Sequence, residues 1–181
     1  MKLVVLDRDG VINHDSDQYI KSPAEWKPIP GSIEAIARLN QNGWRVAVAT
    51  NQSGIARGLF DMATLNAMND KMMEMVFRQG GRIDALFFCP HAADEGCNCR
   101  KPRTGMLEEI AARFHTDLKG VPSIGDSLKD LQAAESVGAQ PILVLTGKGA
   151  KTREDGGLPK RTLVFDNLAE AARHLVATAH A

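Results

Sequence analysis

Short runs of β-branched and other apolar residues alternate along this chain with stretches whose apolar positions recur at helical spacing. KLVVLD (2–7), RVAVAT (45–50), IDALFFC (83–89), VPSIGD (121–126), PILVL (141–145) and TLVF (162–165) have the length and composition of buried strands. Between them SIEAIARLNQNG (32–43), residues 61–79, TGMLEEIAARFH (104–115) and SLKDLQAAESVG (127–138) read as amphipathic helices, and a last helix begins near Asp166. Gly43 supplies a helix stop and Asp61 a helix cap. The methionines at 62, 68, 72, 73 and 75 follow helical periodicity and read as core with some spillover, ahead of a sticky partner surface. GKGAKTREDGG (147–157) reads as a mobile, charged surface loop.

Strand–helix alternation of this kind predicts an α/β protein, a three-layer Rossmann-like fold around a mainly parallel sheet. No insertion is long enough for a separate cap domain, so residues 1–181 are expected to form one domain. Parallel sheets of this class bind ligands at the carboxyl ends of their strands. The polar residues at those ends are Asp7 and Asp9, then Thr50 and Asn51, then Arg100 and Lys101 after the third strand, then Asp126. Singly, each reads as an ordinary polar loop residue. Together they make a kit for phosphoryl transfer. Asp7 and Asp126 offer hard oxygens to Mg²⁺, and Asp7 is a candidate nucleophile. Asp9 is a candidate general acid and base, and Thr50 and Lys101 are placed to stabilise the phosphoryl oxygens.

DRDGVIN (7–13), TNQSG (50–54), the lysine of RKP (100–102) and GDSLKD (125–130) resemble, in order, the four motifs of the haloacid-dehalogenase-like phosphatases. That resemblance implies Asp7 as nucleophile, Asp9 as acid and base, and Mg²⁺ held by Asp7, the Asp9 carbonyl and Asp126. Within the family, DRDGVIN, TNQSGIARG and the CPH…CxCRKP loop are similar to the branch that removes the 7-phosphate of a heptose 1,7-bisphosphate during ADP-heptose and lipopolysaccharide synthesis. The branch acting on histidinol phosphate is the alternative, and a non-catalytic zinc-stabilised binding module is a third reading. The resemblance places zinc on Cys89, His91, Cys97 and Cys99 and assigns substrate recognition to Arg100.

All three cysteines lie in CPHAADEGCNC (89–99) with one histidine, and Cys₃His is a common structural zinc set. Reduced thiols beside a surface histidine, or a redox dithiol, are the competing readings. A closed zinc site would frame the loop 89–103 and aim Arg100 and Lys101 at the phosphate. The loop 14–30 is read as a flap over the substrate, carrying Asp15, Gln18 and Tyr19 as candidate contacts. Asn51, Gln52, Ser53 and Arg57 complete the candidate substrate-binding set, Arg57 being as readily a surface charge.

Charge narrows the partners. Lys+Arg and Asp+Glu are balanced at 22 each and aromatic residues make up 5%, which disfavours nucleic acid and ranks a DNA 3′-phosphatase low. No run approaches a membrane span, and LVVL is too short for a signal peptide. The expected protein is a cytoplasmic monomer acting on a small phosphorylated sugar.

Overall fold

The computed structural model describes residues 1–179. Six strands, β1 (Lys2–Leu6), β2 (Trp44–Asn51), β3 (Ala85–Cys89), β4 (Pro122–Gly125), β5 (Gln140–Val144) and β6 (Leu163–Phe165), form a single sheet. Their order is β3-β2-β1-β4-β5-β6 and every neighbouring pair is parallel. The helices are α1 (Ser32–Gln41), α2 (Met62–Arg78), α3 (Gly105–Arg113), α4 (Leu128–Ser136), α5 (Gly149–Asp155) and α6 (Leu168–Thr178).

Strand side chains alternate between two faces, so each strand feeds two cores. Val4, Leu6, Val46 and Val48 point to one face, where α1, α2 and α6 cover them with Ile36, Leu39, Leu65, Met68 and Leu175. Leu3, Val5, Ala47 and Ala49 point to the other, against Met106, Leu107 and Ile110 of α3 and the alanines of α4. This three-layer α/β/α arrangement is the fold expected from the alternation. The methionines divide as expected too: Met68 and Met72 are fully buried, while Met62 and Met73 reach the surface.

β1 lies at the centre because it pairs with both β2 and β4. The chain leaves it in opposite directions on its two sides, which opens a crevice at its carboxyl end. The loop from residue 14 to 30 rises over that crevice. Its base is fixed: Trp26 is wholly buried, His14 N–H donates to Lys27 O at 2.9 Å, and Ile29 N–H donates to Ile12 O at 2.9 Å. The Lys71 ammonium of α2 donates to the carbonyls of Pro23 and Trp26 at 2.7 and 2.6 Å.

One expectation is corrected. Residues 147–157 are not a loose loop, because Gly149–Asp155 is helix α5. Its first turn is tied to the site by the Lys148 N–H donating to Asp126 Oδ2 at 2.9 Å and the Thr152 hydroxyl donating to Asp126 O at 2.8 Å. Glycines at 147 and 149 permit the approach: a Cβ at Gly147 would overlap Asp126 and Gly10, and one at Gly149 would overlap the Val144 carbonyl.

Candidate active site

A cavity of about 440 Å³ opens at the carboxyl ends of β1, β2 and β4. Asp7 and Asp9, just beyond β1, face Thr50 and Asn51 from the end of β2, with Ser53 beyond. Arg100, Lys101 and Asp126 close the far side, and Asp15 and Tyr19 reach in from the loop above. Three residues expected to touch substrate stand outside it. Gln18 is exposed beside the loop tip, and Gln52 is buried beneath the floor. Arg57 is exposed and lies over the Tyr19 ring, 5.8 Å from its centroid. Among the lining residues that sequence reasoning gave no role are Asp130, Lys129 and Lys148.

The floor is a charge network. The Lys101 ammonium meets Asp130 at 2.6 Å and Asp7 at 3.2 Å, and donates to the Ala49 carbonyl at 2.8 Å. Burial opposes its charge, but Asp130 and Asp7 more than offset this and hold the lysine protonated well above its ordinary range. Asn51 clamps the backbone here, its amide accepting from Lys101 N–H at 3.0 Å and donating to Lys101 O at 3.2 Å. Asp130, the third residue of α4, completes a capping box with Ser127 and accepts from Ser127 N–H and Oγ–H at 3.1 and 3.0 Å. One carboxylate thus caps a helix and anchors the lysine.

Asp9 sits in a different setting. Its Oδ1 accepts from Arg8 Nε and Asn13 Nδ2, both at 2.9 Å, and its Oδ2 accepts from Gln52 Nε2 at 3.1 Å. Gln52 Nε2 also donates to Thr50 Oγ1 at 2.9 Å, which leaves the threonine hydroxyl proton free for another acceptor. Gln52 therefore holds two site residues in place.

Asp7, Asp126 and Asp130 each bring a carboxylate oxygen within 4.8 Å of the others. Burial and the Asp130 charge raise Asp7 well above the usual carboxylate range, and the same two causes raise Asp126 to about 7. Acids crowded this closely call for a cation. Asp130 is already engaged by Lys101 and Ser127, so Asp7 and Asp126 are the oxygens left for a small hard ion such as Mg²⁺. The glycines beside Asp126 keep that space open, since a Cβ at Gly10 would overlap its carboxylate. The residues fit the metal.

A pH prediction arises from this. Asp126 holds its proton up to about pH 7 in the metal-free fold but releases it near the ordinary 3.8 when unfolded. The folded state therefore binds the extra proton, and its contribution to stability is lost as pH rises through about 7. Mg²⁺ needs the deprotonated acid. The rise in Tm on adding Mg²⁺ is expected to be small at pH 5 and to grow steadily to pH 8, measured by thermal scanning at fixed ionic strength.

The cysteine loop makes a second centre. Cys89, His91, Cys97 and Cys99 each bring one ligand atom within 4.8 Å of the rest. Cys89 Sγ lies 3.6 Å from Cys97 Sγ and 3.0 Å from Cys99 Sγ, and His91 Nδ1 lies 3.5 and 3.2 Å from the sulfurs of Cys89 and Cys99. Ligands about 2.3 Å from a tetrahedral zinc are separated by about 3.8 Å, so the set closes around a zinc ion with little movement. Burial and the neighbouring Cys99 thiol push the Cys89 thiol up to about 12, and burial raises Cys99. Cys97, against the cost of burial, is brought down to about 6 by the Arg100 backbone N–H, so the three sulfurs ionise together only with a cation among them. The set fits zinc.

Comparison with known proteins agrees with this geometry. Residues 2–129 match the family model described as polynucleotide kinase 3 phosphatase, and residues 98–171 match the HAD-hydrolase-like model. The D-glycero-β-D-manno-heptose-1,7-bisphosphate 7-phosphatase of Bordetella bronchiseptica is 58% identical over 97% of this chain and 98% of its own. The protein of the same name from Pseudomonas putida is also 58% identical, over 97% of this chain and all of its own. The crystal structure of the B. bronchiseptica D,D-heptose 1,7-bisphosphate phosphatase with magnesium and phosphate superposes with a TM-score of 0.97 at 57% identity, covering 98% of this chain and 99% of that one. The chain belongs to the haloacid-dehalogenase-like hydrolases, in the family of the D-glycero-D-manno-heptose 1,7-bisphosphate 7-phosphatases.

Proposed function

We propose that this protein is an Mg²⁺-dependent phosphatase that removes the 7-phosphate of D-glycero-β-D-manno-heptose 1,7-bisphosphate on the route to ADP-heptose and lipopolysaccharide core. The observation that carries the reading is the meeting of Asp7, Lys101 and Asp126 at one strand-end crevice. Mg²⁺ would be held by Asp7, the Asp9 carbonyl and Asp126, where it neutralises the repulsion between carboxylate and phosphate.

Asp7 attacks phosphorus as nucleophile while the sugar oxygen leaves and takes a proton from Asp9. Asp9, now a carboxylate, removes a proton from the water that attacks the aspartyl phosphate, and inorganic phosphate departs with Asp7 restored. The backbone N–H of Arg8 donates to Asp7 Oδ1 at 2.8 Å, which orients the nucleophile. Thr50 offers its free hydroxyl proton to a non-bridging oxygen. Lys101 offers an N–H that otherwise points at Asp7, while Asp130 keeps its ammonium in place.

The cavity rim favours a bisphosphate. Burial, together with the charges of Arg100 and Lys148, pushes the Lys129 ammonium below its ordinary range. Three cations converging on one mouth suit a second phosphate and disfavour the cationic amine of histidinol phosphate. Nucleic acid is disfavoured by Asp15 and Asp17 at the same mouth, with Tyr19 the one aromatic side chain available for stacking there among the described residues. The loop 14–30 acts as a flap whose tip contacts the sugar, and Lys148 meets its Asp15 at 3.5 Å. One chain supplies every residue named, consistent with a monomer, and reduced thiols committed to zinc suit the cytoplasm. Among the described residues no helix is long and apolar enough to cross a membrane.

The test is phosphate release from heptose 1,7-bisphosphate, histidinol phosphate and p-nitrophenyl phosphate. The bisphosphate is expected to show the highest kcat/KM, by about 100-fold or more. A preference for histidinol phosphate would overturn the reading.

A further inference from the structure

Arg8 is wholly buried between two site aspartates, yet no step above uses its side chain. Its Nε pairs with Asp9 Oδ1 at 2.9 Å and its Nη1 donates to Asn69 Oδ1 at 3.1 Å. Its Nη2 has no hydrogen-bond partner among the described residues. A buried guanidinium with an orphan donor is costly, and a buried ion pair is weak ground for stability. Asn69, itself buried, projects from the middle of α2, where the neighbouring core positions are Leu65, Met68 and Met72. A polar residue in that stripe needs a reason.

Asp9 provides one. Its Oδ1 already accepts from two donors, Arg8 Nε and Asn13 Nδ2, whereas Oδ2 accepts only from Gln52. The two-donor side fixes the plane of the carboxylate and leaves Oδ2 as the oxygen with a lone pair for the transferred proton. We propose that Arg8 and Asn69 are positioning residues that act through Asp9, with α2 setting, by way of the Asn69 amide and the Arg8 guanidinium, the direction in which the acid meets the leaving oxygen. This rests on the reading of Asp9 as general acid, and it extends the machinery of the site into a helix that does not line the cavity.

The leaving group separates this role from mere support. A sugar alkoxide needs a proton as it departs, whereas p-nitrophenolate leaves without one. The quantity to compare is kcat/KM, which covers the steps up to departure and omits later hydrolysis of the phospho-enzyme. Asn69→Leu is expected to lower kcat/KM for heptose 1,7-bisphosphate by about tenfold or more, and for p-nitrophenyl phosphate by less than about threefold. Asn69→Asp, which keeps an acceptor for Arg8 Nη1, is expected to recover most of the loss. If Asn69→Leu does not fold by near-UV circular dichroism, Asn69→Ser is read in the same way, its hydroxyl being too short to reach Arg8.

Equal losses on both substrates would overturn the proposal and mark Asn69 as structural. So would an Asn69 variant indistinguishable from wild type when Asp9→Asn shows the selective loss, and in that case the general-acid reading stands. An Asp9→Asn variant that loses both substrates equally would bring down the general-acid reading, and the positioning role with it.

Discussion

Replacing Asp7 by Asn is expected to lower kcat by about 10⁴-fold or more while making the metal-free protein more stable, not less. The amide keeps the shape of the side chain but has neither the charge nor the lone-pair basicity needed to attack phosphorus. The same substitution removes one of three crowded acids. Burial and the Asp130 charge already hold Asp7 far above its usual range, so the carboxylate is a liability to the empty fold. Lys101 would keep Asp130 at 2.6 Å and the Ala49 carbonyl at 2.8 Å, and so would not be stranded. Tm without Mg²⁺ should rise, and the increase in Tm on adding Mg²⁺ should shrink. Two measurements decide the matter: steady-state turnover of the bisphosphate, and mass analysis of acid-quenched wild-type enzyme for phosphate on the peptide containing Asp7. Undiminished turnover in the variant, or phosphate on a different side chain, would remove the nucleophile from the account.

The strand ends were the legible part of this site. Short apolar strands leading into polar loops locate Asp7, Asp9, Thr50, Lys101 and Asp126 without coordinates, because a parallel sheet delivers every carboxyl end to the same edge. What escaped were residues whose importance lies in what they hold. Asp130 sits within GDSLKD, but its ion pair with Lys101 joins positions 29 residues apart in the chain, which no local pattern displays. Gln52 reads from its place in TNQSG as a substrate contact, but its amide lies under Asp9 and Thr50 and holds them. Lys148 and α5 were hidden by glycines, which signal looseness in a sequence but here permit close backbone approach to Asp126. Arg8 gave no signal, because an arginine between two aspartates reads as a surface charge until its burial is known.

Stripping zinc, or substituting Cys99→Ser, is expected to lower activity by about 10- to 100-fold with Mg²⁺ saturating. Between the ligands the chain runs AADEG, whose residues are too small or too charged to form a core, and positions 93–96 are exposed. Cys89 is anchored at the end of β3, inside the apolar cluster under α3. The return limb is held by the Arg103 guanidinium on the Cys97 carbonyl and by Gly105 N–H on Asn98 O at 2.9 Å. Without the metal the Cys89 and Cys99 sulfurs take up protons, only weak thiol contacts of 3.0 to 3.6 Å replace the coordinate bonds, and the limb carrying Arg100 is released. Lys101 should suffer less, since Asn51 and Asp130 grip it independently of the loop. The loss is therefore expected to be greater on the bisphosphate, which calls on Arg100, than on p-nitrophenyl phosphate, and KM should rise along with the fall in kcat. Hydrogen exchange should quicken across residues 89–103 and stay slow in β1 and β2. Full activity in protein shown by elemental analysis to hold no zinc would sever the link between this metal and the aim of Arg100.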